Sequence, residues 1–262
     1  MRWARYSVGT DIHYGVVGQD LTIEEVEGSP FTQTRPTGVK RKLSDVKLLP
    51  PVVPGTFYAV GYNYAGHTAE ANEFLKKEVK MPKKPDVGYR ANSALIGHDD
   101  AVVIPRHSPG IIQFEGEIVA VVGKTAKYLT VDNALDCLLG YTIGNDISER
   151  YWQAMDRTIW RAKNSDTFKP MGPWIETDLD LDKQVTTIRL NGKQVSRFNT
   201  NGMIFGIARF LAEISSAITL NPGDVLWMGA EAPSLDMRAG DVCEVEISGI
   251  GTLRNPIVAE TV

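Results

Sequence analysis

Short apolar runs, bounded by Gly, Pro, Asn and Asp, recur along most of the chain. Runs of this kind predict β-strands, because turn-forming residues end them and β-branched and aromatic residues fill them. After residue 93 the predicted strands lie in the segments SALIGHDDAVVIP, EIVAVVGK, LLGYTIGND, TTIRLNGKQVSRF, DVLWMG and DVCEVEISGIGTL. Within the fourth of these, Asn191-Gly192 predicts a tight hairpin turn.

The beginning of the chain carries its own group of strand-like runs, RWARYSV, HYGVVGQD and LTIEEVEG. The segment KLLPPVVPGT follows, and its prolines favour an extended connector because proline restricts both itself and the residue before it. We therefore predict a small N-terminal β domain over residues 1–52 and a larger domain over residues 53–262.

Helical patterns are few. The segment at 131–139, VDNALDCLL, predicts a helix beginning near Asp132, and AGHTAEANEFLKK has helical composition. The segment at 203–220, MIFGIARFLAEISSAITL, is apolar nearly all round and predicts a buried helix. Many strands and few helices predict a sheet-dominated α+β fold.

Composition narrows the class of protein further. The 262 residues are 43% hydrophobic and 23% charged, which is ordinary for a globular protein, and the net charge of −4 disfavours nucleic-acid binding. No apolar run approaches the roughly 20 residues that span a bilayer, and the start lacks the apolar region of a secretory signal. We expect no membrane or nucleic-acid partner, a cytoplasmic location, and two buried free thiols at Cys137 and Cys243.

Two carboxylates stand at the start of an apolar strand in QFEGEIVAVVG. Glu115 and Glu117 point to one face of such a strand, where they could bind a hard divalent cation. An exposed strand face is the alternative, because Glu244 and Glu246 repeat the pattern in VCEVEI. The flanks separate the two pairs, since five apolar residues follow Glu117 whereas VCEVEI alternates cleanly.

A divalent cation would need a further oxygen ligand, and Asp146 ends the apolar run in GYTIGNDISERYWQ. Its sequence also has the D-x-x-E form of a helix N-cap followed by an acid, with Glu149 in the second position. Taken alone, the pattern favours the cap over the ligand.

Other residues suit catalysis or anion binding. His67 and Glu70 are three apart and would share a face of a helical turn, where a carboxylate makes the imidazole a better base, although an exposed pair fits equally well. Arg150 and Gln153 have the same spacing and could bind a substrate carboxylate or simply lie in solvent. Lys163 lies near the middle of RTIWRAKNSDTFKPMGPWI, a stretch without clear periodicity.

The order and spacing of these signals resemble the fumarylacetoacetate hydrolase family over roughly residues 50–262. The segments that carry the resemblance are GYNYAGHTAEAN, FEGEIVAVVGK, GYTIGNDISERYWQ, KNSDTFKPMGP and NPGDVLWMGAEAP. The resemblance implies a mixed β-sandwich roll behind a small N-terminal β domain, a homodimer, and Mg²⁺ or Mn²⁺ as cofactor. The residues it assigns are Glu115, Glu117 and Asp146 for the metal, His67, Glu70 and Lys163 for catalysis, and Arg150, Gln153 and Tyr62 for the substrate.

The resemblance further implies an enzyme acting on a small anionic 2-oxo acid. The leading hypothesis is a metal-dependent hydrolase that cleaves a C–C bond in a 2,4-dioxo acid of the fumarylacetoacetate or acylpyruvate type. The alternative is a decarboxylase, isomerase or hydratase of an unsaturated 2-oxo acid in aromatic catabolism, and a non-enzymatic binding protein is a third class. Two departures from the family's usual sequence, Arg90 for lysine and Ala230 for threonine, are expected to affect substrate choice.

Overall fold

The computed structural model describes residues 1–69 and 81–261. The α-helices with described bounds are α1 (Arg150–Met155), α2 (Trp160–Asn164) and α3 (Ile207–Ala217), and residues 65–69 are also helical. The strands are β1 (Arg2–Val8), β2 (Asp11–Val17), β3 (Thr22–Glu27), β4 (Arg35–Lys42), β5 (Lys47–Leu48), β6 (Phe57–Ala59), β7 (Gly88–Tyr89), β8 (Leu95–Ile96), β9 (Val102–Ile104), β10 (Ile112–Gln113), β11 (Gly116–Val122), β12 (Leu138–Asn145), β13 (Ser148–Glu149), β14 (Lys169–Glu176), β15 (Val185–Leu190), β16 (Lys193–Asn199), β17 (Val225–Trp227), β18 (Asp236–Met237), β19 (Val242–Ile247) and β20 (Gly251–Ala259).

Three sheets build the fold. The largest runs in the order β4-β3-β2-β1-β14-β12-β11-β17-β6-β7, with β5 beside β1 and β8 beside β14. A five-stranded sheet has the order β16-β15-β19-β20-β9, and a small sheet has the order β13-β10-β18. This arrangement confirms the predicted sheet-dominated α+β class, and the hairpin predicted at Asn191-Gly192 joins β15 to β16.

The N-terminal strands form an antiparallel meander that continues into the large sheet. β1 pairs with β2 along its whole length, and its first residues also pair with β14, Arg2 opposite Glu176 and Trp3 opposite Ile175. The N-terminal amine lies 2.7 Å from a carboxylate oxygen of Glu176. The early β module is therefore observed as strands, while the division at residues 52 and 53 stays a prediction.

The large and five-stranded sheets pack closely at Gly116, between the two glutamates of the predicted pair. A Cβ at this position would lie 2.8 Å from Val245 and 2.9 Å from Ile188. Since neighbouring residues on a strand face opposite ways, the glycine faces the second sheet and both glutamates face away from it. The close packing of the sheets thus explains the Glu-Gly-Glu order.

The helix predicted at 131–139 is wrong. Residues Ala134–Cys137 form a short 3₁₀ turn and β12 begins at Leu138, which pairs with Val122 of β11. The backbone carbonyl of Cys137 accepts hydrogen bonds from Gly123 and Lys124, so contacts with the preceding strand override the local helical pattern.

The helix predicted at 203–220 exists, but it is shorter and buries one face instead of its whole surface. α3 begins at Ile207 and ends at Ala217. Its buried residues are Ile207, Phe210, Leu211, Ile214 and Ser215.

One smaller prediction concerns the cysteines. Cys137 and Cys243 are buried free thiols, as the apolar context predicted. Among the described residues, no helix has the length and apolar character needed to cross a membrane.

Candidate active site

Three buried carboxylates meet where β11 begins and β12 ends. The antiparallel register places Gly116 opposite Asn145, so the residues just outside this pair, Glu115 and Asp146, lie side by side. The backbone N–H of Asp146 donates to the carbonyl of Glu115 over 2.8 Å. Together with Glu117 they offer ligand atoms that all lie within 4.8 Å of one another.

Cations and an imidazole surround Glu115. The ammonium of Lys163 donates to Oε2, while Nη1 of Arg150 lies 2.7 Å and Nε2 of His67 lies 3.5 Å from Oε1. Burial by itself would raise the pKa of Glu115, but Lys163 and Arg150 outweigh this effect and lower the pKa to about 2. Glu115 is therefore a carboxylate at neutral pH.

Asp146 lies among three cations. Nη2 of Arg90 is 2.9 Å and Nζ of Lys163 is 3.1 Å from Oδ2, and Nζ of Lys169 is 2.6 Å from Oδ1. These charges outweigh burial and hold the pKa of Asp146 well below its usual range. Burial lowers the pKa of the fully enclosed Lys169 to about 7, although Asp146 favours its charged form.

Glu117 has the opposite electrostatic environment. Within residues 1–69 and 81–261 it forms no ion pair, and Oε2 accepts one hydrogen bond, from the backbone of Gly229 over 2.8 Å. Burial raises its pKa well above the ordinary value, and the charges of Asp146 and Glu115 add to the shift. Bringing a divalent cation among the three oxygens would offset this repulsion.

The donor set fits a hard divalent cation. Mg²⁺ and Mn²⁺ prefer carboxylate oxygens, and the triad supplies three of them in a buried cluster. The helix-cap alternative for Asp146 is not what the structure shows, because the side chain of Glu149 accepts from the backbone of Trp152 at the start of α1. The second Glu-x-Glu pair of the sequence differs from the triad in burial, because Glu244 and Glu246 are partly exposed on β19.

His67 lies on the helical turn at 65–69, and the side chain of Glu231 forms a hydrogen bond with the backbone of this turn. Oε1 of Glu231 accepts the backbone N–H groups of His67 and Ala232, each over 2.9 Å. Gly66 permits this approach, since a Cβ there would lie 2.2 Å from the same oxygen. The ring of Tyr62 stacks on that of His67 with centroids 5.9 Å apart. Glu70, the predicted partner of His67, lies outside the described residues.

A cavity of about 430 Å³ opens beside the triad. Four residues assigned from the sequence, other than the ligand Glu115, line it: Tyr62, His67, Gln153 and Lys163. Arg150 is 5% exposed and is engaged with Glu115, and its other hydrogen bonds go to Gln113 and Gln153. Its predicted contact with substrate therefore stays a prediction, and the structure gives it a role in holding Glu115.

Sequence reasoning missed three residues that contact the site. Lys169 is the clearest, and its signal was a charged residue inside the apolar stretch FKPMGPWI. Arg90 was noted as a departure affecting substrate choice, but it contacts the proposed metal ligand Asp146. Glu231 had no signal in the sequence, because its hydrogen bond to His67 joins residues 164 positions apart.

Comparison with known proteins now bears on this arrangement. Residues 56–258 match the family described as fumarylacetoacetate (FAA) hydrolase C-terminal, and residues 1–51 match the one described as Rv2993c-like, N-terminal. The chain belongs to the fumarylacetoacetate hydrolase family. The family resemblance expected from the motifs is thereby confirmed.

Members of the family similar to this chain carry different reaction names. The 2,4-didehydro-3-deoxy-L-rhamnonate hydrolase of Sphingomonas sp. is 31% identical, covering 98% of this chain and 96% of its own. The oxaloacetate tautomerase fahd2, mitochondrial, of Xenopus laevis is 35% identical, covering 82% and 69%. The structure of 5-carboxymethyl-2-hydroxymuconate delta-isomerase from Mycobacterium smegmatis is 34% identical, with a TM-score of 0.88 over 99% and 100%. Related enzymes thus include hydrolases, tautomerases and isomerases.

Replacing Glu231 by Ala is expected to lower turnover about tenfold while leaving divalent-cation affinity nearly unchanged. The substitution removes a charge-assisted acceptor from the backbone of His67 and so loosens the turn that carries the imidazole. Steady-state kinetics at saturating Mg²⁺ and calorimetric titration of Mg²⁺ would measure the two effects. The matched Glu231→Gln variant keeps an acceptor oxygen and should lose less, and wild-type turnover in Glu231→Ala would contradict the positioning role.

Proposed function

We propose that this chain is a divalent-cation-dependent hydrolase that cleaves a C–C bond in a 2,4-dioxo acid. The proposal rests on one observation: a candidate base and a cationic side chain lie beside the same acidic triad. His67 and Lys163 both contact Glu115, and both line the cavity that opens at this point. We propose Mg²⁺ or Mn²⁺ as the cofactor, and the homodimer stays a prediction.

The chain's own residues would divide the chemistry between them. Nε2 of His67 takes a proton from a water molecule, whose oxygen then attacks the distal carbonyl of the substrate. The C–C bond breaks, its electron pair passes to the enolate of the pyruvate-like fragment, and the distal fragment leaves as a carboxylic acid. The proton held by His67 returns to the enolate carbon.

Negative charge develops on the enolate oxygen, and Lys163 is the group placed to stabilise it. Lys163 lines the cavity and is only 4% exposed, so its ammonium acts in a site largely shielded from water. A bound cation would supply Lewis-acid polarisation of the carboxylate and 2-oxo oxygens. Arg150 and Arg90 pair with Glu115 and Asp146 and hold these carboxylates in place.

Isomerisation or tautomerisation of a 2-oxo acid is the second candidate. The names of the Xenopus and Mycobacterium smegmatis relatives favour it, and it needs the same enolate stabilisation by Lys163. The two candidates differ at His67, which in the second would move a proton between two carbon atoms, or between carbon and the enol oxygen, with no attack by water. The assignment of His67 as a base applies to both.

A substrate panel tests the proposal and separates the candidates. The purified protein with Mg²⁺ would be incubated with acetylpyruvate, oxaloacetate and an unsaturated 2-oxo acid, and products followed by NMR. We expect pyruvate and an equal amount of acetate from acetylpyruvate. Accelerated keto–enol exchange or double-bond migration without a carboxylic acid fragment would favour the second candidate, and release of CO₂ alone would contradict the hydrolase.

A further inference from the structure

Tyr62 has a backbone conformation that tyrosine rarely adopts. Its φ is 53°, in the left-handed region, where the Cβ of an ordinary residue lies too close to the following carbonyl oxygen. Glycine adopts this conformation readily, whereas a bulky residue persists in it only where the surrounding contacts impose it. Tyr62 lines the active-site cavity, so the unfavourable conformation lies at the candidate site itself.

Hydrogen bonds on both sides of Tyr62 fix the backbone that leads into and out of it. On one side, the backbone N–H of Val60 donates to the carbonyl of Trp227 over 3.0 Å. On the other side, Asn63 is 1% exposed and binds the backbone of Phe205 twice. Its Nδ2 donates to the carbonyl of Phe205 over 3.1 Å, and its Oδ1 accepts the N–H of Phe205 over 3.0 Å. The conformation of Tyr62 is therefore imposed by its neighbours.

This conformation places the ring of Tyr62 against the ring of His67. The two centroids are 5.9 Å apart and the planes differ by 27°. Glu231 accepts a hydrogen bond from the backbone of His67, but a backbone contact does not fix the torsion angles of the side chain. A ring stacked on one face of the imidazole limits those angles and keeps Nε2 directed at Glu115, 3.5 Å away.

We propose that Tyr62 is a positioning residue for His67, because its unfavourable backbone conformation presents the aromatic ring that fixes the plane of the imidazole. The inference deepens the proposed function and rests on it, since it takes His67 to be the base. A base acts only within hydrogen-bond reach of the proton that it removes, so a misplaced imidazole lowers the rate of the chemical step. The contact with substrate that the family resemblance implied for Tyr62 would instead affect substrate affinity.

Kinetics of two substitutions separate these roles. Tyr62→Leu removes the ring and is expected to lower kcat for acetylpyruvate about tenfold, with KM and the affinity for Mg²⁺ nearly unchanged. Tyr62→Phe keeps the ring and should lose less. A rise in KM at unchanged kcat would overturn the inference in favour of a direct contact with substrate, and wild-type kcat in Tyr62→Leu would overturn it as well.

The stacking itself can be measured by NMR without turnover. An aromatic ring stacked on an imidazole shifts the imidazole C–H resonances upfield. The chain has four histidines, so the resonance of His67 can be assigned by its loss in His67→Gln. We expect the upfield shift to remain in Tyr62→Phe and to disappear in Tyr62→Leu, and an unchanged shift in Tyr62→Leu would overturn the inference. A wild type that shows the shift but converts no acid of the substrate panel would overturn the proposed function, and the catalytic role of Tyr62 with it.

The unfavourable conformation is tested by comparing Tyr62→Gly with Tyr62→Ala, since both variants lack the ring and they differ only in Cβ. Glycine is expected to give the higher Tm, by about 2–4 °C, because it accepts a positive φ. A Tm of Tyr62→Ala equal to that of Tyr62→Gly or higher would show that the backbone at this position is unstrained and would overturn the inference.

Tyr128 provides a matched control. It is also a tyrosine at positive φ, 55°, but it is 74% exposed and does not line the cavity. Tyr128→Leu should keep both the kcat and the His67 resonance of wild type. A loss of kcat in Tyr128→Leu comparable to that in Tyr62→Leu would show a general effect of such substitutions and would overturn the positioning role.

Discussion

Replacing Glu117 by Gln is expected to abolish binding of Mg²⁺ or Mn²⁺ and to lower turnover by at least about a hundredfold. An amide offers a neutral oxygen where the triad would offer a carboxylate, and the other two carboxylates are already neutralised by the cations around them. Glu117 is the member of the triad that forms no ion pair among the described residues, so its charge is the one a bound cation would neutralise most directly.

The same substitution should have the opposite effect on the metal-free protein. Glu117 is 1% exposed and lies beside Glu115 and Asp146, and burial together with their charges raises its pKa. Removing the carboxyl takes away an unfavourable buried group, so the variant should unfold at the same temperature as wild type or higher in the presence of EDTA. A cation that binds the folded state stabilises it, and we expect this metal-induced rise in Tm in wild type and not in the variant.

Thermal unfolding with and without Mg²⁺, together with steady-state kinetics, would measure these effects. The matched control is Glu244→Gln, the same change in the other Glu-x-Glu strand, where the side chain is partly exposed on β19. It should keep both turnover and the metal-induced rise. A Glu117→Gln variant that retains either property would contradict the assignment of the triad as a metal site.

Replacing Lys163 by Met is the second change for which we expect a large effect, a loss of about a hundredfold or more in turnover. The variant loses the ammonium that lines the cavity beside Glu115 and is placed to stabilise the enolate. Its affinity for Mg²⁺ should be equal to that of wild type or higher, because the ammonium no longer competes for the carboxylates of Glu115 and Asp146.

Lys169→Met provides the contrast, because Lys169 also contacts Asp146 but is fully buried and does not line the cavity. Its ammonium also donates to the carbonyls of Ile147 over 3.1 Å and Phe168 over 2.8 Å. Breaking this buried network should cost about 3 kcal/mol of unfolding free energy, with a smaller loss of turnover than in Lys163→Met. Denaturant unfolding and kinetics on both variants would test this, and wild-type turnover in Lys163→Met would exclude the proposed role of Lys163.

Much of the fold was predictable because it depends on local patterns. Alternation and turn residues predicted the strands, and Asn191-Gly192 predicted its hairpin, since these preferences act within a few residues. The prediction failed at 131–139, where the helical pattern was short and pairing of Leu138 with Val122 prevailed. The helix at 203–220 was found, but which of its faces is buried depends on packing against the 3₁₀ turn at Ala134–Cys137.

The candidate site, like the fold, combines features that local sequence patterns predict with features that only packing decides. The sequence alone identified Glu115 and Glu117 as partners on one strand face, because a two-residue spacing has that consequence on any strand. For Asp146 the local pattern favoured a helix cap over a metal ligand, because both begin with a carboxylate at the end of a strand and only the cap has a local signature. The register of β11 with β12 decided this by placing Asp146 beside Glu115.

Only the tertiary structure revealed which distant residues contact Asp146 and His67. Lys169 reaches Asp146 and Glu231 reaches the backbone of His67 only after strands and turns distant in the sequence have packed together. Residue types and short spacings thus indicate which chemistry a chain can perform, whereas burial and long-range packing decide which of those groups meet.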